Sequence, residues 1–213
     1  MNELIQTFIN RHDEILMLTW QHIYITAGSV ALGALLAIPL GIWLADREKV
    51  ARYVLGFIGT IQTIPSLAFF GFAFPILGIG LLPAMTILFL YSIFPILRNT
   101  YTGIKEVNPA LVEAGRGMGM NKWELLTLVK LPLALPLIIG GVKISTVYIV
   151  SWATVAALIG AGGLGDLILG GISMVNINLI IAGTIPASLL AILFGLMITQ
   201  IEKAVTPQGL RAK

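Results

Sequence analysis

Two groups of residues in this chain could do chemistry, and neither is a catalytic set. The first is the segment from Glu113 to Pro132, EAGRGMGMNKWELLTLVKLP, which is charged and interrupted by Gly115, Gly117 and Gly119 between long apolar runs. A polar knob so placed can be gripped from the aqueous side. The second is a set of hydroxyl, amide and aromatic side chains inside the apolar runs: Gln62, Thr63 and Ser66; Tyr91 and Ser92; Ser145, Tyr148, Ser151, Trp152 and Thr154. Ser145, Tyr148 and Trp152 fall at i, i+3 and i+7, on one face of a helix. Aromatic faces attract cations at about 0.5–2 kcal/mol per contact. Tyr91, Tyr148 and Trp152 are therefore candidate weak contacts along a path, with Gln62, Ser66 and Ser145 as its polar members. Tyrosine and tryptophan also mark membrane interfaces and helix packing, which is the competing reading.

Other chemistry is excluded by what is missing. Zero cysteines rule out disulfides, thiolate metal sites and thiol nucleophiles, and two histidines leave little for a metal. No metal and no cofactor are expected. No Gly-Lys pair occurs, so there is no phosphate-cradling P-loop. Gly160, Gly162 and Gly165 match G-x-G-x-x-G but follow an apolar helix rather than a strand, so they read as a close-packed turn, followed by a short interfacial helix through Leu164, Leu167, Ile168 and Leu169. Asp166 and His22 are expected at the outer interface. No ionisable group is expected at mid-depth, where gradient-driven transporters keep their relays. A solute moved uphill by such a chain needs energy from another subunit.

The elements that must position these residues follow from composition. With 57% hydrophobic and 11% charged residues and a mean hydropathy of +0.95, the chain is an integral membrane protein. Charge-free windows run from Ile15 to Ala45, Tyr53 to Leu97, Ile144 to Gly165 and Leu167 to Ile201. A spanning helix needs about 20 apolar residues, and the second window holds two spans with a turn at Pro75, Gly78, Gly80 and Pro83. Five spans are expected: His22 to Leu44, Tyr53 to Phe74, Leu81 to Leu97, Leu137 to Ile159 and Asn178 to Gln200. Backbone groups in hydrocarbon must pair within the segment, so the fold class is all-α and polytopic. Eleven of the thirteen Lys and Arg residues follow spans one, three and five, which places the N-terminus outside and the C-terminus in the cytoplasm. The division is then an extracellular segment 1–18, a membrane domain 19–201 with a cytoplasmic loop 98–136, and a cytoplasmic tail 202–213. The charge follows topology, and no basic domain for nucleic acid exists.

Within the loop, Asn108 with Pro109 starts one helix, the three glycines break it, and Asn121 with Glu124 starts a second that ends at Pro132 and Pro136. Such a unit suits a partner's groove; a solvated connection is the alternative. Gly33, Ala37 and Gly41 give span one a small-residue stripe for close helix packing. Pro39, Pro65, Pro95 and Pro186 are candidate kinks.

Glu113, Ala114, Gly119 and Leu131-Pro132 also fall at the spacing E-A-A-x3-G-x9-I-x-L-P of the EAA loop, with Gly115 for the second alanine and Val129 for isoleucine. In this the chain resembles the permease subunits of binding-protein-dependent ABC importers. The stretches QTIPSLAFFGF (62–72), FPILRNTYTGI (94–104), LPLALPLIIGG (131–141) and LIGAGGLGD (158–166) resemble the osmoprotectant branch, which takes up glycine betaine, carnitine or choline. The resemblance implies a type-1 (MetI-like) permease in the bacterial plasma membrane, without enzymatic activity of its own. It implies a second permease subunit, identical or related, two cytoplasmic ATPase subunits and an external solute-binding protein. It makes Glu113, Ala114, Gly115, Gly117, Gly119, Leu131 and Pro132 the ATPase-coupling positions, with Gly119 allowing close approach. Permeation of another small polar solute, and a non-conducting assembly role, are the alternatives.

Overall fold

The computed structural model describes residues 2–206, and among them there are helices and no strands. The order is α1 (Asn2–Asn10), α2 (His12–Ala45), α3 (Glu48–Gln62), α4 (Ser66–Leu77), α5 (Leu81–Lys105), α6 (Pro109–Gly117), α7 (Lys122–Glu124), a π-helical stretch (Leu125–Lys130), α8 (Leu131–Ala156), a 3₁₀ turn (Ala157–Ile159), α9 (Gly165–Ser173) and α10 (Ile177–Val205). The expected tail falls partly outside the described residues, beyond position 206.

The centre of the bundle is α5, packed against α2 on one side and α8 on the other. The small-residue stripe explains the α2–α5 seam. Ala37 is fully buried, a Cβ on Gly41 would lie 2.7 Å from Thr100 Cβ, and one on Gly33 would overlap the Ser92 hydroxyl. Small residues let the two backbones approach until dispersion contacts are made along the whole seam. Around it Ile25, Leu44, Ile87, Leu88, Ile96, Leu97, Ile149 and Ala153 form the buried core.

Among the described residues, four helical stretches are long and apolar enough to cross a membrane unbroken: His12–Ala45, Leu81–Lys105, Lys122–Ile159 and Ile177–Val205. The expected second span differs. Instead of one helix from Tyr53 to Phe74, α3 and α4 meet at 94°. Pro65 has no N–H to donate and disfavours helical backbone at Ile64, so the helix stops at Gln62 and restarts at Ser66. The bent pair is a fifth crossing element or a re-entrant one by its length.

The fourth span differs in the opposite sense. Pro132 and Pro136 were expected to end a loop helix, yet helix continues from Lys122 to Ile159. The π stretch supplies the reason: the Leu131 N–H donates to the Leu126 carbonyl, five residues back. The wider turn accommodates residues that cannot make the regular i→i−4 bond.

The first span is also longer than expected. Because α2 begins at His12, His22 lies ten residues into it, fully buried between helices. Its Nε2 lies 3.1 Å from the Val150 carbonyl; a carbonyl only accepts, so Nε2 carries the proton, and among the described residues Nδ1 has no hydrogen-bond partner. Gln21 beside it accepts from Gly163 N–H at 3.0 Å. These contacts pin α2 to the turn at Gly160, Gly162 and Gly163, all with positive φ near 77°, which delivers the short helix α9 as expected. Asp166, in the first turn of α9, is exposed, and partial desolvation pushes its carboxyl above the usual range.

Candidate functional site

The segment proposed for coupling closes its helix ends within itself. At its start, the Asn108 side chain accepts from Ala110 N–H at 2.9 Å and Pro109 occupies the first helical position. At its end, Met120 N–H donates to Gly115 O at 3.1 Å and Gly119 N–H to Arg116 O at 3.0 Å around a left-handed Gly119 (φ +83°). That pair of bonds is a Schellman closure, and it needs the positive φ that glycine supplies without strain. Asn121 then caps the next helix, accepting from Trp123 and Glu124 N–H at 2.9 and 3.0 Å, while Glu124 accepts from Asn121 N–H at 2.8 Å. This is the reciprocal capping box that the Asn121–Glu124 spacing implies.

The three glycines divide their roles, contrary to the expectation that each breaks the helix. Gly115 and Gly117 lie within α6, and only Gly119 turns the chain. Gly115 is buried with Leu125 Cδ1 where its own Cβ would be, 2.7 Å away, so α6 rests directly on the π stretch. Among the described residues nothing comes within 4 Å of a Cβ at Gly119, so its constraint within this chain is the turn rather than close packing. Glu113, Ala114, Gly117 and Gly119 are exposed; Leu131 and Pro132 are half-buried at the root, where Leu131 packs on the Ile104–Ala134–Ile138 cluster. Lys130 pairs with Asp46 at 3.3 Å, and Lys105 pairs with Glu48, tying both ends of the loop to the corner between α2 and α3.

The membrane group comes together only in part. Tyr91 and Trp152 meet edge-to-face with centroids 4.3 Å apart, Tyr148 stacks on Trp152 at 5.9 Å, and Phe69 meets Tyr91 edge-on at 5.4 Å. Tyr91 is buried, and its hydroxyl donates to Ile64 O at 2.6 Å, in the break between α3 and α4. In return Gln62 Nε2 donates to Tyr91 O at 3.0 Å, the carbonyl that Pro95, four residues on, has no N–H to satisfy. Tyr148 is 49% exposed, Trp152 half-buried, and Ser66 half-buried at the start of α4. Ser145 is elsewhere: fully buried, donating to Ser92 O at 3.0 Å.

That bond belongs to a feature invisible in the pattern of residues. Ser92 Oγ shares its proton between Phe89 O at 2.7 Å and Ser29 O at 3.2 Å, and Ser29 Oγ lies 3.4 Å from Met85 O, so three serines link α2, α5 and α8. Only the three-helix geometry reveals the use of the Ser29 hydroxyl.

A fold of this helical order, with a capped loop between α5 and α8, defines a class. Residues 37–208 match the family of binding-protein-dependent transport system inner membrane components, and the chain belongs to that family. It is accordingly a multi-pass permease component of an importer in the bacterial plasma membrane. Such a component works with a paired permease, ATPase subunits and a substrate-binding protein. The chain is 46% identical over 211 residues to the glycine betaine/carnitine/choline transport system permease protein OpuCB of Bacillus subtilis, covering 99% of this chain and 97% of that one. It is 44% identical to the choline transport system permease protein OpuBB of the same organism, with the same coverage. Its fold matches the inward-facing MetNI methionine ABC transporter with a TM-score of 0.79 at 24% identity, covering 91% of this chain and 96% of that one.

Proposed function

We propose that this chain carries glycine betaine, carnitine or choline across the plasma membrane, inward, with ATP hydrolysed by two partner ATPase subunits. The solutes named for its relatives share a trimethylammonium group, which has no N–H to donate and is bound through its spread positive charge. The half-exposed Tyr148–Trp152 stack offers that charge an aromatic face without a carboxylate, a contact weak enough to release what it admits. Selectivity then rests with the external binding protein. Gln62 and Tyr91 shape the path by holding the α3–α4 break rather than by touching solute, and Ser66 stands at its edge.

The observation that carries this reading is the continuous helix from Lys122 to Ile159. It begins in the capping box beside the exposed Glu113–Gly119 segment and contains Trp152, about 45 Å along at 1.5 Å per residue. An ATPase that grips α6 moves Leu125 through Gly115, and Leu125 moves the helix. In this arrangement the loop 98–136 and the C-terminus face the cytoplasm, and a second permease, a copy or a related chain, completes the conduit. The test is reconstitution of the permeases with the ATPase in liposomes. Hydrolysis should rise with betaine-loaded binding protein and labelled betaine should accumulate; accumulation driven by a proton or sodium gradient in depleted nucleotide would overturn the proposal.

A further inference from the structure

The corner where the coupling loop meets the bundle holds a cavity of about 510 Å³ that the transport cycle described above does not use. Its floor is aliphatic, from Ile42, Ile104 and Leu125, and so continues the surfaces of α2 and α5. Its rim carries Arg116, Lys122 and Lys130 against the single carboxylate of Asp46. Asp46 is already paired with Lys130, and among the described residues neither Arg116 nor Lys122 is in an ion pair. Trp123, 70% exposed, stands on the same rim, as an indole does at headgroup depth. We propose that this cavity binds the phosphate headgroup of an anionic phospholipid, Arg116 and Lys122 taking the phosphate and the aliphatic floor the glycerol and upper acyl carbons.

A lipid fits better than a soluble anion because half of the lining is apolar and lies at the root of membrane helices, where basic pockets collect acidic headgroups. It fits better than an acidic side chain of the ATPase because such a side chain has no apolar portion for the floor. A smaller adjoining cavity, about 270 Å³, shares Ile104, Arg116 and Lys130 and includes Glu113. A headgroup bridging Arg116 on α6 and Lys122 on α7 therefore braces the coupling segment from its membrane side. This site is independent of which solute is carried.

The test is native mass spectrometry of the intact detergent-purified transporter titrated with phosphatidylglycerol, phosphatidylcholine and inorganic phosphate. Phosphatidylglycerol should be retained over phosphatidylcholine, and Arg116→Gln with Lys122→Gln should weaken its retention by about thirtyfold, from two cations at the surface. Lys49→Gln with Arg52→Gln removes equal charge outside the cavity and should leave retention unchanged. The site is refuted by equal retention of the two lipids, by an unaffected double variant, or by equal loss in the control pair. Displacement by millimolar phosphate would show a free-anion site, and retention only without the ATPase bound would give the cavity to that partner; either overturns the lipid assignment.

Discussion

The α6 loop and the α3–α4 break are both interruptions of helix, but they satisfy their backbones in opposite ways. Around α6 every bond is local: Asn108, the Schellman pair at Gly119 and the Asn121–Glu124 box close within a few residues. At the α3–α4 break the bonds are long-range, Gln62 to the Tyr91 carbonyl and the Tyr91 hydroxyl to Ile64, and they cross between two helices each disturbed by a proline. A locally closed unit keeps its shape when its surroundings move. A cross-linked break changes shape as soon as α3 and α5 shift relative to each other. On that difference rests the proposal that the first transmits force and the second yields to it.

The largest effect should come from spoiling the transmitter. Gly119→Trp forces a bulky residue into left-handed backbone, at about 1–2 kcal/mol, and puts an indole on the exposed face. Uptake and solute-stimulated ATP hydrolysis should both fall to background while insertion, assayed by membrane fractionation, persists. Normal uptake would remove the segment from the coupling role.

Next is the yielding region. Gln62→Leu leaves the Tyr91 carbonyl unpaired beside Pro95 and should lower stability by about 1–3 kcal/mol in a thermal unfolding assay. Tyr91→Phe removes one hydroxyl bond and should cost about 0.6 kcal/mol, the size typical of bonds between membrane helices. In both variants the coupling of hydrolysis to uptake should loosen before hydrolysis itself is lost. Loss of basal hydrolysis first would erase the contrast.

A smaller change should accompany Gly115→Ala. The atom in the way is the end of the flexible Leu125 side chain, and alanine is favoured over glycine in a helix by about 1 kcal/mol, so transport should be preserved and stability unchanged or slightly raised. The smallest concerns Asp166. Its raised carboxyl means that burial disfavours the ionised form, so the folded state loses stability as pH rises past the ordinary carboxylate range. Asp166→Asn should match the parent below that range and be slightly more stable at neutral pH, in melts at both.

Local features were legible in the residues because their causes are local. Asn108-Pro109, the Asn121–Glu124 box, the glycine turn before α9 and the Gly33–Ala37–Gly41 seam all appear where their chemistry requires. The rest depended on tertiary context. The π stretch has no residue signature, so the continuity of helix past Pro132 was hidden. Pro65 lies in an unbroken apolar run and gave no measure of a 94° bend. The burial of His22 depends on its contact with Val150 of α8, and Ser29, Ser92 and Ser145 are joined only across three helices.

Because the chain has no cysteine, two introduced ones can carry the only spin labels. Labels on Lys122→Cys and Ser151→Cys, both exposed on the continuous helix, should keep one distance in the assembled transporter with and without ATP. Labels on Thr60→Cys and Ser151→Cys, which span the yielding region, should report a changed distance. A shift or broadening of the Lys122–Ser151 distance on ATP binding, with Thr60–Ser151 unmoved, would contradict transmission through that helix.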